Sequence, residues 1–164
     1  MRDGSNAGLD HIDWQILTEL QADARLSFSA LSKRVHLSGP AVAERVRRLE
    51  EAGIITGYHA SVNAAAVGWP VLALVRLACY GQTCILRSDE VQQWPNILEI
   101  HRVTGPDCSV LKVVAESMPD FERLIDALAA FGTPSSTLVL STPTARNPLR
   151  SPQHPQPADR GPRA

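Results

Sequence analysis

Apolar positions near the start of the chain recur at helical spacing. Ile12, Ile16, Leu17 and Leu20 fall on one face, which predicts an amphipathic helix opening at Asp10. Asp10 stands at the N-cap with Asp13 three residues on, and Leu9 and Trp14 occupy the flanking positions of a hydrophobic staple. Ser27 opens a second, short helix through Leu31 and Val35, and Ser38 opens a third through Val42, Val46 and Leu49, which Gly53 ends. Only His36 and Leu37 separate these two, so they form a helix-turn-helix. Residues 54–62 then read as two short extended runs turning at Gly57, a wing that completes a winged helix-turn-helix over residues 9–60.

The pattern changes after residue 70. Residues 71–79 predict a strand, 85–94 a weakly patterned helix, 97–103 a strand, and 110–115 another after a turn at Gly105-Pro106-Asp107. Ser117 and Asp120 make a capping box before an apolar stripe of Phe121, Leu124, Ile125, Leu128 and Phe131, with Gly132 as its stop and residues 137–142 as a last strand. That order predicts a ferredoxin-like βαββαβ domain over residues 71–142, and an α+β protein as a whole. Along the first strand Val71, Ala73, Val75, Leu77 and Cys79 face one way, and Leu72, Leu74, Ala78 and Tyr80 the other, with Arg76 the one charge. Two helices cover one face of a sheet, so the second face is expected to bury against another copy of the chain.

Composition agrees with a globular protein: 164 residues, 44% hydrophobic, 20% charged and a net charge of −1. Residues 1–8 are polar and read as a flexible N-terminus, and residues 61–70, small and uncharged, as a linker. Residues 143–164 hold six of the twelve prolines and four arginines, a composition expected to stay disordered. No secretory pattern opens the chain, and no run approaches the roughly 20 apolar residues that span a bilayer, so a cytoplasmic protein without a membrane partner is expected. Cys79, Cys84 and Cys108 form no C-x-x-C pair, and the five histidines show no ligand spacing. The cysteines are expected to be reduced thiols, and the chain to hold no metal and no cofactor. Neither a nucleophile elbow nor a phosphate loop is present, which argues against an enzyme.

Charge is uneven. Lys33, Arg34, Arg45, Arg47 and Arg48 crowd one segment holding a single acid, Glu44, while residues 61–142 carry five basic against eight acidic residues. With Val42, Val46 and Leu49 set inward, Pro40, Glu44 and Arg47 lie on the outer face of the third helix, Ala41 and Arg48 on a flank, and Arg45 nearer the core. Gly39, Pro40, Ala41, Glu44 and Arg45 are placed to reach base edges, where Glu accepts from cytosine and Arg donates to guanine. Lys33, Arg34, Arg47 and Arg48 suit phosphate, and the helix ends at Ser27 and Ser38 add backbone donors. A solvated basic face on a protein-binding domain is the plainer alternative.

Leu9-Asp10-x-x-Asp13, Ala24-Arg25-Leu26-Ser27, Leu37-Ser38 and Val42-x-x-Arg45-Val46-x-x-Leu49-Glu50-x-x-Gly53-Ile54-Ile55-x-x-Tyr58 together resemble the N-terminal domain of the Lrp/AsnC (feast/famine) transcriptional regulators. His101-Arg102-Val103-Thr104-Gly105, Leu111-Lys112-Val113 and Val139-Leu140-Ser141-Thr142-Pro143 are similar to their effector-binding module. The resemblance implies a regulator that binds double-stranded DNA, responds to an amino-acid effector and assembles from dimers, commonly into octamers of four dimers, on the nucleoid. His36 stands where the family usually has glycine, and Gly105-Pro106-Asp107-Cys108 replaces its commoner Gly-x-Tyr-Asp.

Gly105-Pro106-Asp107-Cys108 taken alone reads equally as a plain hairpin between two strands; the resemblance favours an effector site there, to which Thr104 and the hydroxyls of Ser135, Ser136 and Thr137 are candidate contributors. Turn N–H groups and hydroxyls there suit a carboxylate, and Asp107 an ammonium. Two other readings stand beside it: a sirohaem decarboxylase, whose modules resemble this family, and a nucleoid-architectural protein that bends DNA.

Overall fold

The computed structural model describes residues 8–81 and 84–152. The chain divides into two compact units, residues 1–60 with 144–164 and residues 61–143. Among the described residues no helix is long and apolar enough to cross a membrane.

The first unit is built on helices α1 (His11–Ala22), α2 (Phe28–Arg34) and α3 (Gly39–Glu51). Each start is capped as its sequence requires. Asp10 and Asp13 form a reciprocal capping box, the Ser27 hydroxyl accepts from the Ala30 N–H, and the Ser38 hydroxyl accepts from the Ala41 N–H. Ile16, Leu31, Val35, Val42, Val46 and Leu49 make the core, with Leu9, Ile12, Leu17 and Leu20 packed around it.

The turn between α2 and α3 reverses at His36, whose φ of 55° is the one left-handed value outside glycine among the described residues. The Leu37 N–H donates back to the Ser32 carbonyl at 3.0 Å, which closes α2 in a Schellman turn.

The expected wing does not form: residues 54–62 contain no strand. Instead the N–H groups of Ile54 and Ile55 both donate to the Leu49 carbonyl, and the two side chains pack on the helical core. Runs this short on either side of Gly57 have too few ladder bonds to hold a hairpin by themselves.

The second unit is an antiparallel sheet of β1 (Val71–Cys79), β2 (Ile97–Arg102), β3 (Ser109–Ala115) and β4 (Gly132–Leu138), with helix α4 (Met118–Leu128) between β3 and β4 in the chain. Its order, β2-β3-β1-β4, is that of a ferredoxin-like sheet. Ala73, Val75 and Leu77 of β1, Leu111 and Val113 of β3, and Phe121, Leu124 and Leu128 of α4 form its core.

Three elements differ from expectation. Residues 85–94 form two 3-10 turns, Ile85–Arg87 and Val91–Gln93, rather than an α-helix. The segment still buries Ile85 and Val91 completely, but Pro95 bars a helix from continuing through Trp94. The last strand begins at Gly132, not at residue 137, and α4 stops at Leu128. Gly132 is no helix stop: a Cβ there would lie 2.2 Å from the Ala78 carbonyl oxygen, so it is the close approach of β4 to β1 that requires glycine. Pro134 is tolerated because β4 is an edge strand.

The other face of the sheet is mixed rather than apolar. Cross-strand register puts Leu74 beside Lys112 and Thr137, and Arg76 beside Val110 and Ser135. Glu99 accepts from Lys112 at 3.0 Å and pairs with His101 at 2.8 Å.

Residues 61–70, expected as a linker, belong to the second unit and include a 3-10 turn, Ala65–Val67, that ends at left-handed Gly68. Within the stretch expected to be disordered, Leu149 is held by Gln21, which donates to its carbonyl at 3.0 Å and accepts from its N–H at 2.7 Å. Residues 1–7, and the remainder of that stretch from residue 153, lie outside the described residues.

Candidate functional site

Helix α3 sorts its residues as its periodicity demands. Val42, Val46 and Leu49 are buried, while Pro40, Glu44, Arg47 and Arg48 are exposed and Gly39 and Ala41 half-buried. Pro40, in the first turn, has no N–H to leave unsatisfied.

The cations of this unit are not equivalent. Arg47 donates to Glu44 and to Glu51 along its own helix, and this pairing holds the Glu44 carboxyl below its usual range. Arg34 pairs with Glu19 at 2.6 Å.

Arg45 faces the body of the unit. Its Nη1 lies 2.7 Å from both Asp10 and Asp13, which raises its already high pKa. Asp13 is 1% exposed and also accepts from Nη2 of Arg48 at 3.1 Å. One carboxylate therefore caps α1 and anchors two arginines of α3, locking the pose of α3 on α1. Lys33, exposed on α2, makes no ion pair among the described residues. Arg25, absent from the sequence-based set, is likewise exposed; it lies two residues before the Ser27 cap, in the Ala24-Arg25-Leu26-Ser27 motif. The Ser27 and Ser38 hydroxyls are occupied as caps, at 3.1 Å and 3.4 Å from the N–H groups they accept.

In the second unit the turn from residue 104 to 108 joins β2 to β3. Thr104, Gly105 and Pro106 are exposed, and Asp107 and Cys108 are half-buried. The Cys108 N–H donates to the Leu77 carbonyl at 2.9 Å, which ties the turn to β1. Asp107 reaches toward Arg76, with Oδ2 3.9 Å from Nε.

Register places Ser135 on the same rung as Arg76 and Thr137 one pleat further along that face, whereas Ser136 pairs with Val75 and faces the opposite side. The hydroxyl set is thus split between two faces, and Arg76, the one charge of β1, joins Asp107. A separate cleft of about 410 Å³ between Trp69, Trp94, Asn96, Asp120 and Arg123 lies at the far end of the β2–β3 hairpin.

A helix-turn-helix with an outward third helix, followed by a small α+β domain in which Asp107 of the β2–β3 turn faces Arg76 of β1, has the layout of a ligand-responsive DNA-binding regulator. Comparison with known proteins agrees. Residues 9–50 match the AsnC-type helix-turn-helix domain and residues 73–149 the Lrp/AsnC ligand binding domain. The HTH-type transcriptional regulator YezC of Bacillus subtilis is 39% identical over 134 residues, which cover 82% of this chain and 95% of that protein.

The structure of B. subtilis LrpC superposes with a TM-score of 0.79 at 33% identity, covering 84% of this chain and 99% of that one. A Neisseria meningitidis transcriptional regulator solved as a complex with L-Met superposes with a TM-score of 0.77 at 28% identity, covering 86% and 96%. The chain belongs to the Lrp/AsnC family of helix-turn-helix transcriptional regulators. It is a regulator, not an enzyme, so the sirohaem decarboxylase reading falls away.

Proposed function

We propose that the first unit reads duplex DNA with the opening turns of α3 and grips phosphate around it, while the turn at residues 104–108 takes an amino acid that changes this occupancy. The observation that carries the DNA half is the sorting of α3: an apolar face sealed against the core, and an outer side on which Pro40 and Glu44 are exposed and Gly39 and Ala41 half-buried, the residues we assign to base edges. Lys33, Arg34, Arg47 and Arg48, with the Ser27 and Ser38 helix ends, serve the phosphates. Arg45 stays on Asp10 and Asp13 and positions α3 rather than touching bases.

For the effector, the Asp107–Arg76 pair is complementary to a zwitterion, offering an acceptor for its ammonium and donors for its carboxylate, with Ser135 on the same rung. The turn is open on one side, which suits a site completed by a second copy of the chain. Dimers formed through the outer sheet face, joined into octamers in the cytoplasm on the nucleoid, are the assembly that fits.

The experiment is fluorescence anisotropy of a labelled duplex from upstream of its own operon against a random duplex at one salt concentration, with and without each of the twenty amino acids. Preference for the upstream duplex together with a shift by an amino acid supports the proposal. Equal affinity for both duplexes sinks sequence-specific regulation in favour of architectural binding.

A further inference from the structure

Cys79, Cys84 and Cys108 are 5 and 24 residues apart along the chain, yet their three Sγ atoms all lie within 4.8 Å of one another. The fold brings them together. Cys79 ends β1, Cys84 opens the 3-10 turn that follows, and Cys108 closes the β2–β3 turn, where its sulfur accepts from the Cys79 N–H at 3.3 Å. All three are free thiols and half-buried, so a small ion has a path in while bulk water is largely kept out.

We propose that these three sulfurs form a binding site for a thiophilic d10 cation, Cu⁺ or Zn²⁺, held as a three-thiolate centre. Around a metal at the usual Zn–S length of about 2.3 Å, sulfurs of a tetrahedral site stand about 3.8 Å apart, so a closure of about 1 Å or less completes the set. Thiolates select Cu⁺ and Zn²⁺ over hard cations. Three sulfurs suffice for Cu⁺ and leave an open fourth position on Zn²⁺.

At these separations the three thiols act on one another's protonation. Burial and the hydrogen bonds with Cys84 and Cys108 push the Cys79 thiol up to about 12. At Cys84 burial acts the same way, but hydrogen bonds from Cys79, the Leu86 N–H and Cys108, with Arg87 nearby, outweigh it and lower the pKa. Ser109, next to Cys108 in the chain, is fully buried and its hydroxyl has no hydrogen-bond partner among the described residues.

Occupancy would pin the turn carrying Asp107 and Cys108 to the end of β1, so the site would act on the same turn as the proposed amino acid. It does not depend on that reading, because the test requires neither DNA nor amino acid.

The full-length reduced protein is titrated anaerobically, with Cu⁺ in competition with a chromophoric chelator in one arm and Zn²⁺ in another. Cd²⁺ serves as the spectroscopic probe of sulfur-to-metal charge transfer. Binding of one ion per chain, with charge-transfer intensity for three thiolates, is expected in at least one arm. Cys84→Ser should weaken it by at least about 100-fold, since even outer partners of metal ligands are worth 10- to 100-fold.

Thiol alkylation of the wild-type chain gives a second readout that needs no variant: one equivalent of metal should shield all three cysteines. Binding that leaves the thiols reactive, as at histidines, overturns the proposal. So does the absence of stoichiometric binding in both arms, or affinity unchanged in Cys84→Ser.

Discussion

His36 carries backbone strain that its neighbours impose. A left-handed L-residue costs about 1–2 kcal/mol, and the Schellman closure of α2 leaves this position no other conformation. Exchange for glycine removes that strain but frees the unfolded chain, so His36→Gly should stabilise the first unit by about 0.5–1 kcal/mol, measured as a raised urea midpoint in the helical circular dichroism signal.

Asp10 gives a pH prediction at the same scale. The Asp13 N–H and the Arg45 guanidinium bind its carboxylate and lower its pKa from the ordinary 3.8. A group with a depressed folded pKa binds fewer protons folded than unfolded, so its stabilisation is complete above 3.8 and fades as the pH falls below that value. Acid titrations should show a shallower loss of stability below that pH in Asp10→Asn than in the wild type.

At the scale of elements, the pairing of each cation sets its value to DNA. Lys33, with no ion pair of its own, has its full charge available to release a counterion; Arg47 is already neutralised by Glu44 and Glu51 on the same helix. Lys33→Ala should therefore flatten the dependence of log affinity on log salt by about one unit, and Arg47→Ala by less. An Arg47→Ala effect equal to that of Lys33→Ala would show that Arg47 leaves its acids when DNA arrives. Helix α3 owes its orientation to a different arginine, Arg45, through Asp10 and Asp13 on α1.

For the whole molecule, the two sides of β1 separate folding from assembly. Val75 is 0% exposed beneath α4 and Leu74 is 42% exposed on the uncovered face. Val75→Glu should unfold the second unit, whereas Leu74→Glu should leave the chain folded and reduce the mass seen by light scattering if that face joins two copies. A wild-type chain that already scatters as a monomer would remove the sheet-face dimer. Glu99, Lys112 and His101 on the same face set charges that a second copy has to match.

Local signals in the sequence determined the three capped helices of the first unit, the capped start of α4, and strand β1 from residue 71 to 79. In each, side chains two to four residues apart carry the information, as caps or as one apolar face. Where a partner distant in the chain decides, the sequence pattern misled. Gly132 looked like the end of a helix and is a close contact with Ala78; residues 85–94 looked helical and are shaped by Pro95 and by burial against the sheet.

The candidate site divides in the same way. The outward residues of α3 were legible because helical periodicity alone sorts them, but Arg45 became a positioning residue only once Asp10 and Asp13 stood opposite it. The three cysteines carried no ligand spacing in the chain. Antiparallel pairing of β1 with β3 brings Cys108 to Cys79, a contact between distant segments that only the folded sheet creates, and Cys84 joins them from the 3-10 turn after β1.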